Sequence, residues 1–188
     1  MEVKRLAAAL IGAGLLLAGC GATEPVRVIE RRPSDVPALR GDALLRQAML
    51  EGHNAARAAV GEPPLAWDAG LAADAAAYAR TLARTGEFRH ADQPIDMRRE
   101  GENLFTGTRD AYSYREMVDL WVAEKADFVN RPTPDFSRGG RWENVAHYTQ
   151  IVWRGTTRIG CALASNATDD YLVCRYSPPG NVVGQAAF

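Results

Sequence analysis

Apolar residues along this chain repeat with a helical period up to about residue 129 and alternate like strands from about residue 157. The spacing predicts a first helix over 43–60, with Asp42 as N-cap and Gly61 as its stop. Leu44, Leu45, Ala48, Met49, Gly52, Ala55, Ala56 and Ala59 lie on its apolar stripe. A second helix is predicted over 69–85, capped by Asp68, ended by Gly86 and rich in alanine, which permits close approach to a neighbouring layer. Ser113-x-x-Glu116 is a capping box opening a third helix that runs to about Val129, before Arg131-Pro132 stops it. Residues 157–164 and 171–176 then read as two strands around the polar turn 165–170. Helices followed by a hairpin indicate an α+β layered domain.

The N-terminus bears on the redox setting. Lys4 and Arg5 precede an apolar run from Leu6 to Ala18, which is the pattern of a secretory signal and too short for a membrane span. Leu17-Ala18-Gly19-Cys20 resembles the bacterial lipobox, so residues 1–19 are expected to be removed and Cys20 acylated, anchoring the chain to a membrane. Residues 20–42, with Pro25, Pro33 and Pro37, read as a tether, which leaves 43–188 as the folded domain. In an exported protein, Cys161 and Cys174, placed symmetrically about the hairpin turn, are expected to form a cross-strand disulfide; nothing nearby supports a nucleophilic cysteine. With 22 Lys+Arg against 23 Asp+Glu, the chain lacks the basic excess of a nucleic-acid binder.

Three histidines and two glutamates carry the chemistry. Glu124 shares a helical stripe with Met117, Leu120, Trp121 and Phe128, and a carboxylate on an apolar face needs a partner. His53, in His53-Asn54-x-x-Arg57, is expected to make a structural hydrogen bond. His90 lies in a loop after the second helix, Glu102 in the turn-like Gly101-Glu102-Asn103-Leu104, and His147 opens His147-Tyr-Thr-Gln-Ile-Val-Trp153.

These blocks, in this order, resemble the CAP superfamily of cysteine-rich secretory proteins, insect venom antigens and plant pathogenesis-related proteins. Pro64-Leu65-x-Trp67, Trp121-x-x-Glu124-Lys125 and Tyr176-Ser-Pro-Pro-Gly-Asn181 complete the match, which runs from about residue 42 to 188. Ala146 stands where the family usually has glycine, and the chain ends Gln185-Ala-Ala-Phe188 in place of the common Pro-Tyr ending.

The resemblance implies a three-layer α-β-α sandwich with a central, mainly antiparallel sheet. It also implies a cleft that gathers His90, Glu102, Glu124 and His147. Two imidazoles could then bind a divalent cation such as Zn²⁺, with Glu102 and Glu124 orienting them, or the four groups could hold one another without metal. The ligand classes it suggests are lipids, sterols or peptides. A metal-dependent peptidase using Glu102 or Glu124 as base is the alternative, although the chain lacks His-Glu-x-x-His and Gly-x-Ser-x-Gly. A third reading makes the tetrad a relic within an envelope interaction module.

Overall fold

The computed structural model describes residues 36–96 and 98–188, so the signal, Cys20 and most of the tether lie outside the described residues. Helices α1 (Asp42–Ala58), α2 (Ala69–Thr85), α3 (Tyr114–Ala123) and α4 (Ala146–Ile151) enclose strands β1 (Ala66–Trp67), β2 (Gly101–Thr108), β3 (Arg158–Ser165) and β4 (Asp169–Ser177). The strand order is β1-β3-β4-β2; β3 and β2 flank β4 antiparallel, and β1 runs parallel to β3. Helices α1, α3 and α4 lie on one face and α2 on the other, the expected three-layer sandwich.

Strand alternation assigns the two cores. Met49, Met117, Trp121, Leu172, Cys174 and Tyr176 are buried between the α1/α3/α4 layer and the sheet. Ala75, Ala79, Leu82, Leu104, Tyr171 and Val173 are buried beneath α2. Two glycines let the layers approach. A Cβ on Gly160 would stand 2.2 Å from the Ala72 backbone nitrogen, and one on Gly52 would stand 2.5 Å from Val118 Cγ1.

Several boundaries differ from the sequence expectation. Asp42 is the first helical residue and Gly41 is the N-cap, with no side-chain capping bond. Asp68 does cap α2, accepting from the N–H groups of Gly70 and Leu71, and Gly86 closes it in the left-handed region. The capping box at Ser113 and Glu116 is formed, but α3 ends at Ala123 and tightens into a 3₁₀ turn over Glu124–Ala126. The buried stripes are narrower than the apolar patterns suggest: Leu120 on α3, Leu44 and Ala55 on α1, and Ala59 just after α1 are exposed. Gly101–Thr108, read as turn-like at its start, is the full edge strand β2. Cys161 and Cys174 are joined by a disulfide, with Cα atoms 4.1 Å apart.

Candidate functional site

The four residues of the expected tetrad form two His–Glu couples. His90 Nδ1 donates to Glu102 Oε1 at 2.7 Å, and His147 Nδ1 donates to Glu124 Oε1 at 2.6 Å. Each carboxylate therefore fixes one ring nitrogen, and the Nε2 atoms have no hydrogen-bond partner among the described residues.

Glu102 is nearly inaccessible because it faces α2 from within the sheet, while its partner His90 is largely exposed. The same Oε1 accepts the Ala91 N–H at 3.0 Å, and Oε2 forms an ion pair with Arg175 Nη2 at 2.8 Å, without hydrogen-bond alignment. Arg175 lies opposite Glu102 on β4, packs over the Tyr78 ring and reaches Glu100 Oε2 at 3.5 Å. Partial burial raises the Glu100 carboxyl above its ordinary range, against the pull of Arg175. Tyr78 Oη donates to Arg89 O at 2.7 Å, so the residues on both sides of His90 are tied to the α2 face.

Glu124 is held on the opposite face. Its Oε2 accepts the backbone N–H groups of His147 and Tyr148, each at 3.0 Å, so the carboxylate caps the start of α4 from a distant segment. This is how a carboxylate at the end of an apolar helix face finds its partners. Trp121 stacks on the His147 ring at 5.8 Å between centroids, and its Nε1 donates to Leu104 O at the outer edge of β2. Asn103, next to Glu102 but on the other face, donates through Nδ2 to His147 O at 3.1 Å. The two couples thus approach edge strand β2 from its two faces. Among the described residues, no group of three or more His, Cys, Asp or Glu side chains is placed to hold a metal ion.

Other motif residues are structural. His53 is fully buried, with Nδ1 donating to Met49 O at 2.7 Å and Nε2 accepting from Tyr176 Oη at 2.8 Å. Arg57, also buried, donates to the carbonyls of Pro63, Ile151, Trp153 and Thr156. Thr149 Oγ1 donates to Asn181 Oδ1, Asn181 Nδ2 donates to Ala146 O, and the Gly180 N–H donates to Gln150 Oε1. The His147 block and the C-terminal Gly180-Asn181 block are therefore stitched together. Sequence reasoning assigned no role to Arg175 or Asn103; a charge within the apolar run Tyr171–Tyr176 was the available signal.

Residues 50–176 match the CAP family, described as the cysteine-rich secretory protein family, and the chain belongs to it. Among curated relatives, a PR-1 type pathogenesis-related protein of Sambucus nigra is 39% identical over 143 residues, covering 76% of this chain and 81% of that one. Pathogenesis-related protein 1B of Nicotiana tabacum is 38% identical over 144 residues, covering 76% of this chain and 80% of its own. Among solved structures, NaASP2 with Zn²⁺ matches with a TM-score of 0.63 and 26% identity, over 78% of this chain and 86% of that one. BmVAL-1, at TM-score 0.65 and 22% identity over 79% and 84% of the two chains, shares the fold. No helix among the described residues is long and apolar enough to cross a membrane.

Proposed function

We propose that this protein is an exported CAP domain, anchored to a membrane through acylated Cys20. Its two His–Glu couples bind a divalent cation and present it, at the β2 edge, to a small apolar or lipid-like ligand. The observation that carries this reading is the shared pattern of the couples: in each, a carboxylate takes the Nδ1 proton and leaves Nε2 free. Carboxylates orient metal-binding imidazoles in that way. A family relative solved with Zn²⁺ supports the same reading. His90 and His147 would supply two protein ligands, fewer than the three of catalytic zinc centres, with water or ligand atoms completing the shell. Glu102 and Glu124 would act through the rings.

The commitments of both carboxylates favour binding over hydrolysis. Glu102 is taken up by His90, Ala91 and Arg175, and Glu124 by His147 and Tyr148, so neither is free to serve as a general base. Calorimetric titration of the metal-stripped protein with Zn²⁺ tests the reading. Stoichiometric binding that is lost in the His90→Ala/His147→Ala double variant, with the fold retained by circular dichroism, is the expected result. Equal affinity in the double variant would overturn it.

A further inference from the structure

On the opposite edge of the sheet from the His–Glu couples, β3 is only partly covered. Strand β1 pairs with Arg158 and Ile159 and stops there, because Asp68 turns the chain into α2 as its N-cap. The Asp68 N–H donates to Ile159 O, so the backbone of Ile159 faces outward from β4. Two observations give Cys161 the same direction. It follows Ile159 by two residues, and its Cα lies 4.1 Å from that of Cys174, the spacing of an antiparallel pair that exchanges no backbone hydrogen bonds. The N–H and C=O groups of Cys161, and by alternation those of Leu163, therefore point away from β4, and no described residue bonds to them.

They form the floor of an open groove of about 810 Å³ between the N-terminal half of α1 and the alanine-rich face of α2. Its walls include Leu45, Leu50, Trp67, Ala73 and Ala76. Arg46 on α1 and Arg80 on α2 face it from the two sides, and neither has a carboxylate partner among the described residues; Arg46 is stacked over the Trp67 ring at 5.7 Å. Asp42 lies at the first turn of α1.

We propose that this groove takes an acidic peptide in extended conformation, which continues the sheet where β1 breaks off. Backbone groups of the peptide pair with the free N–H and C=O groups of Cys161 and Leu163. Its alternate side chains reach the α1 and α2 walls, and its carboxylates meet Arg46 and Arg80. Strand addition satisfies edge groups that a lipid chain would leave unpaired. The unpaired edge spans Cys161 to Ser165, which sets the occupant at roughly four to six residues at about 3.3 Å each. The site is separate from the His–Glu couples and does not depend on metal.

The test uses the purified protein and a fluorescein-labelled hexapeptide pool with Asp or Glu at the two central positions and Val, Ile, Thr or Leu elsewhere. Binding is read by fluorescence anisotropy at low salt. We expect saturable binding that falls at least about tenfold for Arg46→Ala/Arg80→Ala, for a pool with lysine at the central positions, and for a pool N-methylated at alternate peptide nitrogens. Amide resonances of Cys161 and Leu163 should shift on binding and gain protection from exchange. Because Arg46 and Arg80 are exposed, their replacement should leave the melting temperature unchanged. No saturable binding overturns the proposal, as does equal binding of the N-methylated pool. Perturbation of the Cys161 and Leu163 amides by oleate but not by the peptide pool would make the groove a lipid site and overturn it as well.

Discussion

Glu124 holds His147 at both ends, with one carboxylate oxygen 3.0 Å from its backbone nitrogen and the other 2.6 Å from Nδ1. A single carboxylate thereby fixes the start of α4, the tautomer of the ring and its orientation. Ring and helix are positioned together, so a change at Glu124 should disturb both.

Glu124→Gln separates the two roles. The amide keeps one acceptor oxygen for the backbone N–H groups but turns an NH₂ donor toward Nδ1. The neutral ring can then pair only by moving its proton to Nε2. The expected outcome is a stability loss of about 1–2 kcal/mol together with a switch from the Nδ1–H to the Nε2–H form of His147. Nitrogen-15 shifts of histidine-labelled protein, followed through a pH series to the plateau where they no longer change, read the tautomer directly. An unchanged tautomer would contradict the hydrogen-bond assignment.

Burial lowers the His53 pKa to about 4, against the favourable bond to Met49 O, with Arg57 nearby adding to the depression. In the unfolded chain the ring titrates near 6.5. Above about pH 6.5 the ring is neutral in both states, and its contribution to stability is complete. As pH falls toward about 4 the unfolded state takes up a proton that the folded state refuses, so stability declines by up to about 3 kcal/mol and then levels off. Denaturant titrations between these limits should show that slope in the parent and a shallower one in His53→Gln, which does not titrate. Parallel slopes would mean that another group dominates the window.

How much of this could be read from the sequence depended on how local each cause was. The Ser113–Glu116 capping box, the Asp68 cap and the Cys161–Cys174 pairing rest on contacts within a few residues or within one hairpin, and each is found where expected. The His53 reading succeeded because a histidine on an apolar helix face has few fates. Strand β2 was missed because Gly101–Thr108 mixes polar and apolar positions at an edge, and its partner β4 lies more than sixty residues away. Arg57, Asn103 and Arg175 find their partners across the fold, so no local pattern announces them. Family resemblance picked out His90, Glu102, Glu124 and His147. Only coordinates resolve them into two couples on opposite faces of β2.

Arg57 is the most deeply committed cation in the molecule's described part, with its guanidinium donating to four carbonyls, two of them near the C-terminal end of α4. Glu62 stands 4.0 Å away, too far to carry the arrangement alone. Lysine cannot reproduce a planar fork that reaches several acceptors, so Arg57→Lys should cost nearly as much as Arg57→Ala. The expected loss is about 3–5 kcal/mol for either, since both leave buried carbonyls without donors. Urea unfolding of the two variants checks this. A lysine variant close to the parent would show that charge, and not geometry, is what the site requires.

The Cys161–Cys174 bond joins two side chains with relative exposures of only 3% and 0%, packed against Met49 in the larger core. Thiol–disulfide exchange requires an attacking thiolate to reach a sulfur along the bond axis, and the low exposure of both residues, with Met49 against Cys174, shields the bond even though the Cys161 backbone borders the groove. Reduction should therefore proceed only through opening of the fold, so its rate should track the population of the unfolded state as denaturant rises. A second consequence concerns stability. The bridge joins cysteines 13 positions apart, and removing it as Cys161→Ala/Cys174→Ala should cost about 3 kcal/mol through the unfolded chain. The measurement pairs a dithiothreitol time course, followed by thiol labelling and mass spectrometry, with urea unfolding of the double variant. Rapid reduction under native conditions would show that this edge of the sheet opens locally, which would also change how the adjoining groove at Cys161 and Leu163 is reached.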